Sequence, residues 1–145
     1  MDCPFCTSEE IKGRTVAEND FAFAFPTNTP IVPGHLLICP KRHVKYYEET
    51  TEAEKQAIEE LRVILKDALK KSFGAEGFNY AWNEEKIGGQ SVMHFHLHIV
   101  PRKEGDEGVH GYEPREFLYR SRARSVATPE EELVEVANEI KKTIK

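Results

Sequence analysis

The hydrophobic positions along this chain change period several times, and each change predicts an element. Two short apolar stretches between Val16 and Phe25 are divided by the turn signal Glu18-Asn19-Asp20, which predicts a pair of strands. Pro26-Thr27-Asn28-Thr29-Pro30-Ile31-Val32-Pro33-Gly34 then stops both helix and central strand. Its prolines and glycine hold the backbone in an irregular course that can shape a pocket. His35 opens an apolar strand over 36–39, which Pro40 ends before Lys41-Arg42-His43. Thr51 and Glu54 form a T-x-x-E capping box, and Ala57, Leu61, Ile64, Ala68 and Leu69 recur at helical spacing until Gly74 supplies a stop. Residues 78–82 read as a strand, 83–90 as a turn-rich connection and 93–100 as a second strand of the same hairpin. Beyond Pro101 the periodicity fades through Gly105, Gly108 and Gly111. Thr128-Pro129-Glu130-Glu131 predicts a second capping box with proline at the first helical position, and Leu133, Val136, Ala137 and Ile140 give that helix its apolar face. Short links between neighbouring strands favour antiparallel pairing, so the expected class is α+β.

The run Met93-His94-Phe95-His96-Leu97-His98-Ile99-Val100 alternates imidazoles with apolar side chains. On a strand, successive Cβ atoms point to opposite faces, so the three histidines would share one face while Phe95, Leu97 and Ile99 pack on the core. A wet strand face can carry imidazoles that only make hydrogen bonds. Three together also offer a nucleophile, a proton carrier or a metal ligand near physiological pH. Two chemistries compete. The imidazoles could grip a catalytic zinc with one position open for water, or one imidazole could attack an electrophile while the others orient it and neutralise charge. Gly88-Gly89-Gln90-Ser91 just before the run offers close backbone approach, a side-chain amide and a hydroxyl, which suit phosphate oxygens and favour phosphorus as the electrophile.

The chain has 145 residues, 39% hydrophobic and 31% charged, which fits one domain over 1–145 able to bury a core without disulfides. No apolar run approaches the length of a bilayer span, and the acidic start Met-Asp-Cys-Pro lacks a signal-peptide pattern, so a cytoplasmic protein without a membrane partner is expected. A net charge of −5 argues against binding polymeric nucleic acid but leaves small anionic ligands open. Arg115, Arg120, Arg122 and Arg124 are either a solvated loop that offsets the acidic helix after it or a clamp for phosphate. Cys3-Pro4-Phe5-Cys6 is a C-x-x-C pair, compatible on its own with a redox pair or a surface turn. Cys39 reads as a small buried hydrophobe.

Gly89-Gln90-Ser91-Val92-Met93-His94-Phe95-His96-Leu97-His98-Ile99-Val100-Pro101 resembles the signature of the histidine triad (HIT) family, His-φ-His-φ-His-φ-φ with φ apolar. Pro33-Gly34-His35, Pro40-Lys41-Arg42-His43, the long central helix and Asn83 before Gly-Gly-Gln stand in the family's order, so the resemblance covers about residues 3–102. It implies a HIT-like fold: an antiparallel sheet of about five strands with one long central helix, to which 103–145 adds a loop and a C-terminal helix. It also implies a nucleotide hydrolase or nucleotidyltransferase in which His96 attacks the α-phosphorus of a small nucleotide substrate and forms a nucleotidyl-histidine. By the same likeness His98, Asn83, Ser91 and Gln90 would contact phosphate oxygens, His35 would support the site, and the His94 carbonyl would fix the tautomer of His96. Where many members place an acidic residue or asparagine for the ribose hydroxyls, this chain has Thr27 with Asn28 beside it. The C-x-x-C branch of the family implies a structural zinc held by Cys3, Cys6, His43 and His94. A homodimer formed by joining two sheets is expected from the same source. A non-catalytic nucleotide-binding module and a zinc hydrolase using His94, His96 and His98 as ligands are the alternatives. His110 and Tyr112 could approach the site from the extension.

Overall fold

A computed structural model describes residues 3–106 and 128–144 of the chain. The expectations for Gly108, His110, Gly111, Tyr112 and the arginines at 115, 120, 122 and 124 fall outside the described residues. Two short N-terminal helices, α1 (Pro4–Thr7) and α2 (Glu9–Gly13), lead into β1 (Ala17–Glu18), β2 (Ala22–Pro26) and β3 (Leu36–Pro40). The long helix α3 (Glu52–Phe73), β4 (Gly77–Ala81), β5 (Leu97–Arg102) and α4 (Glu130–Lys141) follow. The five strands form one antiparallel sheet in the order β1-β2-β3-β5-β4. The class is therefore α+β, with the expected long helix and C-terminal helix. Among the described residues no helix is long and apolar enough to cross a membrane.

Register sorts the side chains onto two faces. Ala24 lies opposite Ile38, Ile38 opposite Leu97, and Leu36 opposite Ile99. This face packs under Ala57, Leu61, Leu65, Ala68 and Leu69 of α3 and Ala137 and Ile140 of α4. The other face carries Phe25, Leu37 and Cys39, closed by Ile11 of α2, and places His98 opposite Leu37. With both faces covered, β3 is buried at all five positions, which is why it reads as a continuous apolar run.

Helix α3 begins as its capping box requires. The Thr51 hydroxyl accepts from the Glu54 amide at 3.1 Å, and the Glu54 carboxylate accepts from the Thr51 amide at 2.8 Å. Gly74 ends it at φ 67°, in the left-handed conformation that glycine adopts without penalty. Gly34 is needed for a second reason: a Cβ there would lie 3.2 Å from side-chain atoms of Leu69 and Phe73.

Two expectations are corrected. The histidine strand begins at Leu97 rather than Met93, so His94 and His96 precede the ladder and only His98 lies in it. Continuing past the Ile38–Leu97 pair would set Phe95 opposite Pro40, which has no N–H to give. Phe95 instead donates its N–H to the Val44 carbonyl at 2.7 Å. The second capping box does not form either. Pro129 occupies the cap position with ψ 144° and no side-chain cap, while the Thr128 amide donates to the Asn28 carbonyl at 2.7 Å and the Glu130 carboxylate accepts from Arg14.

Candidate active site

The proton positions on the triad follow from its neighbours. The His96 Nδ1 lies 2.8 Å from the His94 carbonyl, and since a carbonyl only accepts, Nδ1 carries the proton and the lone pair sits on Nε2. Burial pushes the His96 pKa down to about 4, partly opposed by the His94 carbonyl, with the charge of the His94 ring adding to the fall. His96 is thus a neutral imidazole whose lone pair lies on Nε2. The His98 ring centroid is 5.1 Å from that of His96. The Ile31 amide donates to His35 Nδ1 at 3.1 Å, which puts the proton of neutral His35 on Nε2. That nitrogen is 3.0 Å from His98 Nδ1, so His98 accepts there and holds its own proton on Nε2, as a donor. The proline-rich loop, expected to shape a pocket, therefore acts on the triad through the Ile31 amide.

His94 faces elsewhere. Its Nε2 donates to the Pro40 carbonyl at 2.8 Å, leaving the Nδ1 lone pair 3.3 Å from Cys3 Sγ and 3.5 Å from Cys6 Sγ. His43 Nδ1 is 3.5 Å from Cys6 Sγ. One ligand atom from each of Cys3, Cys6, His43 and His94 lies within 4.8 Å of the others. Zinc bonds of about 2.3 Å to sulfur and 2.0–2.1 Å to nitrogen imply tetrahedral edges of roughly 3.4–3.8 Å, close to the 3.3 and 3.5 Å sulfur–nitrogen distances. The Nε2–H held by a carbonyl is the orientation that a metal-ligating imidazole needs. Burial, followed by a hydrogen bond and charge from Cys3, raises the Cys6 thiol to about 11, so two thiolates here call for a cation. Burial lowers the His94 pKa, despite its bond to Pro40, which keeps the ring neutral as a ligand must be. These residues fit zinc. No other such group, and none built from His94, His96 and His98, occurs among the described residues.

The connection before the triad is closed on itself. The Glu85 amide donates to the Gln90 side-chain oxygen at 2.9 Å, and the Glu85 carbonyl accepts from the amides of Gly88 and Gln90, both at 3.0 Å. The Gln90 Nε2 donates to the Lys45 carbonyl at 3.2 Å, so both ends of this buried amide serve the backbone. Glu85 has φ 66° and ψ 157°, a region occupied almost only by glycine, at a cost of about 1–3 kcal/mol. Its carboxylate accepts from the Tyr46 hydroxyl and from Lys45 Nζ, the latter at 2.9 Å. Asn83 is half-buried two residues past Ala81, which lies opposite His98, and Ser91 is exposed just after the loop closes. Thr27 is buried, with its hydroxyl accepting from the Thr29 amide at 3.3 Å, while Asn28 beside it is exposed.

Sequence reading missed four contributors. Phe5 sets its edge against the His96 and His94 rings, with centroids 5.1 and 5.7 Å away, and its place between the two cysteines was the available signal. Lys45, Tyr46 and Glu85 had none, because Lys-Tyr-Tyr and Glu-Glu-Lys read as ordinary polar surface.

Comparison with known proteins agrees with this geometry. The HIT domain family model matches residues 8–105. An uncharacterized HIT-like protein of Mycoplasma genitalium is 38% identical over 121 residues, 82% of this chain and 85% of its own length. A bis(5'-adenosyl)-triphosphatase of Dictyostelium discoideum is 33% identical over 87 residues, covering 60% of this chain and 58% of that protein. The crystal structure of a hypothetical histidine triad nucleotide-binding protein from Sulfolobus tokodaii superposes with a TM-score of 0.76 at 25% identity, over 97% of this chain and 91% of that one. A match that spans the sheet, the central helix and all three triad histidines leaves one conclusion: the chain belongs to the histidine triad (HIT) family.

Proposed function

We propose that the protein is a nucleotidyl hydrolase or transferase that cleaves a phosphoanhydride or phosphoramidate bond at the α-phosphorus of a nucleotide. The carrying observation is the His96 ring, neutral, with its proton held on Nδ1 by the His94 carbonyl and its lone pair on Nε2. Nε2 bonds to phosphorus as the bond to the leaving group breaks, and the leaving group departs with the electron pair. The imidazolium formed is stabilised by its Nδ1–H on the His94 carbonyl. Water or another acceptor then attacks the same phosphorus and loses its proton. The N–P bond breaks, its electron pair returns to Nε2, and the nucleoside monophosphate is released or transferred. His98, oriented by His35, donates from Nε2 to a phosphate oxygen, and Asn83 and Ser91 bind the same group. Thr27, Asn28, Phe25 and Ile31 border the nucleoside. Cys3, Cys6, His43 and His94 would hold a structural zinc, whose charge offsets the two thiolates. The bis(5'-adenosyl)-triphosphatase relative supports a dinucleoside polyphosphate as a substrate class.

Val63 and Ile64 on α3 and Trp82 beyond the edge strand β4 are exposed apolar residues, and they support a homodimer joined along this side. The function is tested by incubation with a diadenosine polyphosphate and an adenosine phosphoramidate. The wild type should release AMP and form a trappable adduct on His96, and His96→Ala should abolish both while still binding AMP. Undiminished turnover by His96→Ala would sink the proposal, and tight binding without turnover by the wild type would assign the chain to a binding module.

A further inference from the structure

Glu85 stands where glycine would be unstrained, and its side chain is held from outside the loop. Its φ of 66° is combined with bonds from the Tyr46 hydroxyl and Lys45 Nζ to the two carboxylate oxygens. The same short segment supplies the Lys45 carbonyl that accepts from Gln90 Nε2, and its amides at 45 and 46 both donate to the Glu49 carboxylate at 3.0 Å. Val44 takes the Phe95 amide next to His94. The segment 44–46 therefore braces the loop 85–90 at one end and the approach to the triad at the other. Asn83 enters that loop and Ser91 leaves it, so the closure between Glu85 and Gln90 sets how far apart these two residues stand.

We propose that Glu85 is a positioning residue: its carboxylate, anchored by Tyr46 and Lys45, holds an otherwise unfavourable backbone turn and so fixes the spacing of Asn83 and Ser91 around the phosphate. The proposal rests on the reading of Asn83 and Ser91 as phosphate contacts. Exposed ion pairs contribute little to stability, so the brace should be read in the geometry of the loop more than in the melting temperature. Glycine at 85 relaxes the backbone but deletes the carboxylate, which separates the two roles.

The test compares Glu85→Gly, Glu85→Ala, Glu85→Gln and Tyr46→Phe in the full chain, with diadenosine triphosphate as the probe. Glu85→Ala, which loses the anchor and keeps the unfavourable backbone, should lower kcat on the order of 10- to 100-fold, as a misplacement of about 1 Å would, with a smaller change in KM, whereas Glu85→Gly, which adopts the turn without the anchor, should lose less. Glu85→Gln, which still accepts from Tyr46, should recover most of the loss, and Tyr46→Phe should add little on top of Glu85→Ala. Wild-type kcat and KM in Glu85→Ala would overturn the proposal, as would full additivity of the Tyr46 and Glu85 changes. Amide hydrogen exchange at Gly88 and Gln90 reads the brace independently of turnover. Faster exchange in Glu85→Ala supports it even if the wild type fails to hydrolyse any nucleotide, and unchanged exchange in that variant refutes it even if hydrolysis is confirmed.

Discussion

His94 serves two places with three atoms. Its Nδ1 faces the thiols of Cys3 and Cys6, its Nε2–H holds Pro40, and its carbonyl sets the proton of His96. The neighbouring ring then behaves unlike a free imidazole. Because burial lowers the His96 pKa to about 4, the ring should remain the neutral Nδ1–H form from pH 8 to 5.5, and histidine ring NMR should record no protonation across that window. Titration of His96 near 6.5 would contradict the burial argument. The sign for stability follows: between about 6.5 and 4 the unfolded chain binds a proton that the folded chain refuses, so this residue's contribution to stability falls as pH drops through that range. At this scale the sequence disclosed the imidazoles and the thiols through their chemistry and spacing, and the family resemblance added Asn83 as a proposed contact. It did not disclose Phe5 or the Glu85 brace, because an aromatic edge and a surface glutamate acquire meaning only from what folding sets beside them.

Among the elements, α3 was the most legible. Its two caps are local properties, and Thr51, Glu54 and Gly74 sit where local chemistry puts them, while its apolar stripe departs from the expectation at Ile64, which is exposed, and at Ile58 and Leu65, which are buried. Glu54 also receives two bonds from the Arg42 guanidinium, both at 2.9 Å, which together with the Thr51 amide hold its carboxylate below the usual range. A depressed carboxylate stabilises fully above its unfolded pKa of about 4.3, and the contribution is lost as pH falls through the lowered folded value. Glu54→Gln should therefore melt lower than the wild type at pH 7, with the gap closing below about pH 4. A gap independent of pH would leave only the neutral cap. The start of β5 and the cap of α4 were not legible, because Pro40 on another strand and Asn28 in a distant loop decide them.

For the whole molecule, the N-terminal turn and the histidine segment are 91 residues apart in sequence between Cys3 and His94, and a bound zinc would join them. One zinc per chain is expected by elemental analysis. Cys6→Ser should lower that content, and chelation should lower the melting temperature, whereas zinc retained equally by Cys6→Ser would refute the assignment. The proposed dimer predicts sedimentation at twice the chain mass and a monomer for Val63→Glu, and a wild-type monomer at high concentration would exclude it. The sequence pattern alone determined the class, the long helix and the alternation of the triad, since periodicity, capping and side-chain chemistry are written locally, while the candidate ligands came from the resemblance to the family. Tertiary structure decided which partner each imidazole meets. A ring's tautomer depends on whether a carbonyl, an amide or a thiol reaches it, and here those partners come from Pro40, Ile31, Cys3 and Cys6, brought in by the sheet and by the turn at the N-terminus. Three histidines equivalent in the sequence pattern thereby become a neutral ring with its lone pair on Nε2, a ring oriented by His35, and a ring turned toward the cysteine pair.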